Sequence, residues 1–216
     1  MKKLIALMGL ALIVFSVSAQ VDQKAKSILE NVTKTTQSYS TIQANFDYIM
    51  DNSEMDIHEN NKGNIVMKGN KYLLKLADLG LEVYCNGAEV ATYMKDANEV
   101  TISPMDAESG EMMNPSKLFT IYEDGFSYKF VEEKVIDGKN SYVIDLFPEA
   151  SDIEYSKIRI QIDKERMLIS KAEMFGKEGN NYIVKVNDLK TNVDAPDALF
   201  NFEKAKHPGV EVVDLR

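Results

Sequence analysis

Few residues in this chain are of types that do covalent or proton-transfer chemistry. Its 216 residues include two histidines and one cysteine. His58 stands in the polar turn Asp56-Ile57-His58-Glu59-Asn60-Asn61, and His207 precedes Pro208-Gly209. Both read as solvated side chains. Neither has a metal-ligand spacing such as H-E-x-x-H, and no G-x-S-x-G elbow, P-loop or G-x-G-x-x-G occurs. Cys85 lies in Leu81-Glu82-Val83-Tyr84-Cys85 with no histidine beside it, so it reads as a small buried apolar side chain. A lone cysteine also forms no internal disulfide. The 34 carboxylates are too many and too scattered to nominate an acid–base pair, and they read as the solvent face of the fold. The chain is therefore predicted not to be an enzyme and to hold neither metal nor cofactor.

The apolar residues carry more information. There are 11 Met, 10 Tyr and 9 Phe, and no Trp. Methionine is flexible and adapts to irregular apolar partners. Two readings follow. In one, Met fills gaps in an ordinary core. In the other, a curled sheet has a concave face too large for its own side chains, and a greasy cavity is left under a helical cover. The second reading nominates Phe46, Tyr48, Met50, Ile65, Met67, Tyr72, Leu74 and Met174 as cavity lining. It places Met112, Met113, Leu118, Phe119 and Tyr122 in or near a lid. Periodicity alone leaves open which sheet face is concave.

The elements that position these residues are legible. Asp22 is a plausible N-cap, and Ala25, Ile28, Leu29 and Val32 recur at helical spacing until the stripe fades by Ser38. From Ile42 the period becomes two. Ala44, Phe46, Tyr48 and Met50 share a face, as do Tyr72, Leu74 and Leu76, and Ile158, Ile160 and Ile162. Turns at Asn86-Gly87, Asp96-Ala97-Asn98, Asp137-Gly138, Asp163 to Arg166 and Gly179-Asn180-Asn181 separate the runs and make hairpins. The prediction is a mainly β (α+β) single domain, a meander of about 10–11 antiparallel strands that curls. It is interrupted at 104–122, where Pro115 suits the first turn of a short helix.

The N-terminus, Met1-Lys2-Lys3 followed by the apolar run Leu4 to Phe15 and Ser16-Val17-Ser18-Ala19, has the form of a secretory signal. Cleavage is expected after Ala19, leaving one domain over 20–216. No cysteine follows the cut to carry a lipid, so the expected product is a free periplasmic molecule. The formal net charge of −9, before loss of Lys2 and Lys3, argues against a nucleic-acid partner and against docking on an anionic membrane, and neither is expected.

A succession of segments then resembles a known family. Tyr39-Ser40-Thr41-Ile42-Gln43-Ala44-Asn45-Phe46 follows the helix. Lys62-Gly63-Asn64-Ile65-Val66-Met67-Lys68-Gly69-Asn70-Lys71-Tyr72 forms a glycine strand and hairpin. Val83-Tyr84-Cys85-Asn86-Gly87, Val90-Ala91-Thr92-Tyr93, Phe200-Asn201-Phe202 and Pro208-Gly209-Val210-Glu211-Val212 complete it. Their order is similar to that of the periplasmic outer-membrane lipoprotein carrier (LolA-like) family. The resemblance implies an incomplete antiparallel β-barrel with a helical lid and an apolar cavity for lipoprotein acyl chains. It implies loading by an inner-membrane lipoprotein-releasing ABC transporter and delivery to an outer-membrane acceptor, by a monomer. One departure stands out. Where family members often carry an arginine that latches the lid, this hairpin has Gly69. Lys68 or Lys71 could take that role, though lysine lacks the planar bidentate fork. Two alternatives remain open: a carrier or sensor of another lipid or lipopeptide, and a periplasmic hydrolase lacking any visible constellation.

Overall fold

The computed structural model describes residues 22–105, 125–150 and 153–216. Helix α1 (Gln23–Ser38) is followed by β1 (Ile42–Asn52), β2 (Ile57–Lys68), β3 (Lys71–Leu76), β4 (Leu81–Cys85), β5 (Glu89–Met94) and β6 (Glu99–Pro104). Then come β7 (Phe126–Ile136), β8 (Lys139–Pro148), β9 (Tyr155–Asp163), β10 (Leu168–Gly176), β11 (Asn181–Thr191) and β12 (Glu211–Asp214). The twelve strands among the described residues form one open sheet in the order β12-β6-β5-β4-β3-β2-β1-β11-β10-β9-β8-β7. Two meanders therefore meet at its centre, where β1 pairs with β11 over Ile42–Asp51. β6 lies next to the β12 edge of this order, and β7 forms the opposite edge.

The strand count exceeds the expected 10–11 because of β12. This short segment pairs parallel to β6, from Glu211 opposite Glu99 to Asp214 opposite Ile102. It is the exception in an otherwise antiparallel sheet. A four-residue strand with exposed side chains shows no alternation to read.

α1 forms where the sequence predicts it. The Asp22 carboxylate accepts the Lys24 and Ala25 amides at 3.0 Å each, satisfying two donors that a helix start leaves unpaired. The stripe of Ala25, Ile28, Leu29 and Val32 packs on Ile144, Leu146, Ile158, Ile160, Ile162 and Ala172 from β8–β10. Each fully buried Leu, Ile or Val there contributes about 1.5–3 kcal/mol. The β-branched and polar run Thr33 to Ser38 ends the helix, and the Tyr39 amide donates to the Thr36 carbonyl at 3.3 Å.

The opposite face of the sheet is covered over β2–β6 by the chain after β11. Ala195, Leu199 and Phe200 pack on Val66 and Leu73, while Phe202 and Val210 pack near Tyr84, Ala91, Tyr93 and Val100. His207, expected in solvent, is half-buried here. Its ring stacks on Phe202 at 4.5 Å and meets Tyr93 edge-on at 4.4 Å. The reason is tertiary: the C-terminal segment is strapped across a face that no local pattern connects to residue 207. His58 remains exposed, with Nδ1 3.1 Å from the Asp51 carboxylate.

Candidate functional site

Side chains opposite one another on paired strands share a face, and the register fixes which residues form the inner one. One row runs Val90, Cys85, Tyr72, Met67, Ile42 across β5, β4, β3, β2 and β1. The next runs Val83, Leu74, Ile65, Ala44, Leu189. A third runs Leu76, Gly63, Phe46, Val186. On the other side of the seam, Tyr48, Val184, Ala172, Ile160 and Ile144 align, followed by Met50, Tyr182, Met174, Ile158 and Leu146. These rows carry no charge. The first charged neighbour is Glu59, opposite Met50 at the rim.

Phe46, Tyr48, Met50, Ile65, Met67, Tyr72, Leu74 and Met174 thus stand on one face, the face α1 lies against. Phe46, Ile65, Met67, Tyr72 and Leu74 are buried, while Tyr48, Met50 and Met174 are half-buried. Met112, Met113, Leu118, Phe119 and Tyr122 lie outside the described residues. The inner face divides into two clusters. α1 covers the β7–β10 half. The half built by β1–β5 and β11 contains no residue of α1, and Tyr39 and Met105, which flank the helix and β6, pack against it.

Local chemistry explains two glycines in this region. At Gly63 the Phe46 ring lies where a side chain would be: a Cβ built there would come within 2.2 Å of Phe46 Cζ. The glycine lets the ring lie flat on the neighbouring strand. Gly69 occupies the two-residue turn between Lys68 and Lys71 with φ +58°, a conformation glycine adopts freely. No atom lies within 4 Å of a Cβ built at Gly69. The flanking lysines face the outer side. Lys68 Nζ donates to Asp197 Oδ1 at 2.8 Å and to the Ala195 carbonyl at 3.1 Å, and Lys71 Nζ donates to Asp197 Oδ2 at 2.8 Å. They clasp the C-terminal segment.

The polar groups of the inner face are held neutral. Burial pushes the Tyr72 hydroxyl up to about 12. Burial and then neighbouring Tyr182, stacked at 6.3 Å, push Tyr48 up. Burial also raises the Cys85 thiol, which is wholly inaccessible and poorly suited to nucleophilic attack. Charge is kept to the outer face, where Arg159 Nε and Nη2 reach the two Asp145 oxygens at 2.7 and 2.8 Å. This bidentate pair was not expected from the sequence, since Asp145 interrupts an apolar run and its partner is a neighbour only across strands. Among the described residues no group of three His, Cys, Asp or Glu could hold a metal, and no helix is long and apolar enough to cross a membrane. The arrangement is an uncharged and largely buried inner face, with no acid–base pair among its described residues.

Comparison with known proteins bears on the fold. A family model described only as an uncharacterized protein matches residues 92–193. An uncharacterized protein of Methanocaldococcus jannaschii is 28% identical over 137 residues, 62% of this chain, and the match spans 38% of that longer protein. A solved structure of an uncharacterized conserved protein from Thermus thermophilus superposes with a TM-score of 0.62 at 14% identity, covering 89% of this chain and 99% of that one. The lipoprotein LppX of Mycobacterium tuberculosis superposes at 0.52 and 13% identity, covering 81% and 98%. A LolA superfamily protein from Nitrosomonas europaea gives 0.45 at 15% identity, covering 82% and 97%. At such identities the likeness is one of architecture. The chain shares its overall architecture with the Thermus protein and with LppX, and among the described residues that architecture is an open, mostly antiparallel, curled sheet with one α-helix laid on its inner face.

Proposed function

We propose that this protein is an extracytoplasmic carrier that holds acyl chains against the inner face of its sheet. The observation that supports this is the continuous apolar inner face, of which α1 covers only the β7–β10 half. Phe46, Tyr48, Met50, Ile65, Met67, Tyr72, Leu74 and Met174 form its lining. The cargo is a lipoprotein, taken from an inner-membrane ABC transporter and passed to an outer-membrane acceptor. The carrier is a monomer of the periplasm, exported by residues 1–19 and beginning at Gln20. No step of this role requires catalysis. Native mass spectrometry of protein recovered from the periplasm tests the reading. Stoichiometric lipoprotein on a chain starting at Gln20 is the expected result. Protein free of any acyl species, with none acquired on incubation with lipoprotein, overturns it.

One observation favours a second reading, a carrier or sensor of a different lipid or lipopeptide. Gly69 replaces the arginine of the family's latch, and both flanking lysines are engaged with Asp197 on the outer face. Closure would then differ from that of a latched lipoprotein carrier. In the same experiment this reading predicts co-purified lipid without lipoprotein.

A further inference from the structure

The face of α1 turned to the sheet contains Ala25, Ile28, Leu29, Val32 and Thr33. Thr36 lies one turn beyond Val32 on that face. Its Oγ1 is closed off from solvent and has no hydrogen-bond partner, the one such side-chain atom among the described residues. Buried hydroxyls are nearly always paired. A helical threonine commonly bonds the carbonyl four residues back, but here Val32 does not serve. Val32 belongs to the core over β7–β10, whereas Tyr39, three residues after Thr36, packs on the core over β1–β5. The unpaired hydroxyl therefore stands on the helix between two apolar clusters.

Resting on the acyl-carrier reading, we propose that Thr36 Oγ1 is a polar anchor for the linkage of the bound chain. It would donate its proton to the carbonyl of an ester- or amide-linked acyl group. An acyl chain is apolar along its length and carries its acceptor at the linkage. A hydroxyl supplies one donor, and this one is left unused by the protein. The site would select acylated glycerol or acylated amine over a plain hydrocarbon of equal length. Thr36 would be a specificity-determining residue, while the hydrocarbon supplies most of the affinity through burial.

The test compares 1-palmitoylglycerol with 1-hexadecylglycerol, which differ by the linkage carbonyl. Each displaces a fluorescent fatty acid from wild type, Thr36→Val and Thr36→Ser. Wild type should prefer the ester about 2- to 10-fold, as one neutral hydrogen bond allows. Thr36→Val, close in shape, should bring the ratio to about one, and Thr36→Ser should keep it. Ligand-free Thr36→Val should melt no lower than wild type, because an unpaired hydroxyl has been removed. A wild-type ratio of one, or the same preference in wild type and Thr36→Val, overturns the anchor while leaving the carrier reading intact. Binding of neither lipid overturns both.

Discussion

The Asp22 side chain joins the helix to the edge of the sheet through Phe130. One carboxylate oxygen caps α1, while the other accepts the Phe130 amide of β7 at 2.8 Å. Lys24 Nζ sits 3.5 Å above the Phe130 ring. β7 is the last strand of an open sheet, and its unpaired amides are a liability that this contact reduces. Asp22→Ala should cost about 1–2 kcal/mol in denaturant unfolding, the range of a lost cap. The Ala25 amide, then the Phe130 amide, hold the Asp22 carboxyl below its ordinary value. A group whose pKa is depressed by folding stabilises above its unfolded value, about 4, and that contribution is lost as pH falls through the lower folded value. Asp22→Asn keeps the cap and should flatten this part of the acid-unfolding curve.

Phe46 and Gly63 should be energetically coupled. Gly63→Ala places a methyl where the Phe46 ring lies, and forcing the ring aside should cost about 1–3 kcal/mol. Phe46→Ala alone should cost about 3–5 kcal/mol. In the double variant the added methyl has no ring to displace, so the two losses should fall short of additive by more than about 0.5 kcal/mol. Additivity would mean the ring does not depend on the glycine.

The Lys68–Asp197–Lys71 clasp should act on the C-terminal strap more than on the whole fold. Hydrogen bonds from Lys68, then Lys71, draw the Asp197 carboxyl down to about 2. Its contribution is therefore present above about pH 4 and fades toward pH 2. Asp197→Ala should speed amide exchange at Leu199 and Asn201 while moving the melting midpoint by less than about 3 °C. Raised salt should mimic the variant in wild type.

Cys85 reports opening of the inner face. It lies opposite Tyr72, with no exposed surface. A thiol reagent should modify the native protein slowly, at a rate set by opening, and at once after denaturation. Saturating acyl ligand should slow modification further. Rapid labelling of the native chain would show that this face is freely open.

Much of the fold was legible because its pattern is local. The Asp22 cap, the stripe from Ala25 to Val32 and the period of two in β1, β3 and β9 each state which face is apolar. Residues 143–146 of β8 were harder, since Val143, Ile144, Asp145 and Leu146 are all buried and alternation disappears. A bulge between Phe130 and Glu132 likewise breaks the phase of β7. The candidate site was legible only strand by strand: period put Phe46, Met67 and Leu74 each on an apolar face of its own strand, but bringing them to one face requires the β1–β2 and β2–β3 pairings, and aligning them with Met174 the β1–β11 and β10–β11 pairings. Tyr182 joins the same face through the β1–β11 pairing, and Thr36 is distinguished only by lacking a partner. The strap holding His207 left no signal beyond the order of its segments.

The central claim is that acyl chains lie on the inner face, and strand alternation makes it testable residue by residue. Palmitate carrying a photoreactive diazirine on its chain, irradiated in complex with the protein, should mark inner residues such as Ile65, Met67, Leu74 and Met174. Labelling read by fragment mass spectrometry should skip Val66 and Leu73, the outward neighbours under the C-terminal strap. It should be competed away by unlabelled palmitate. Labelling confined to the outward Val66 and Leu73 or to the exposed Val131, Val135 and Phe147, or absent altogether, would contradict the account.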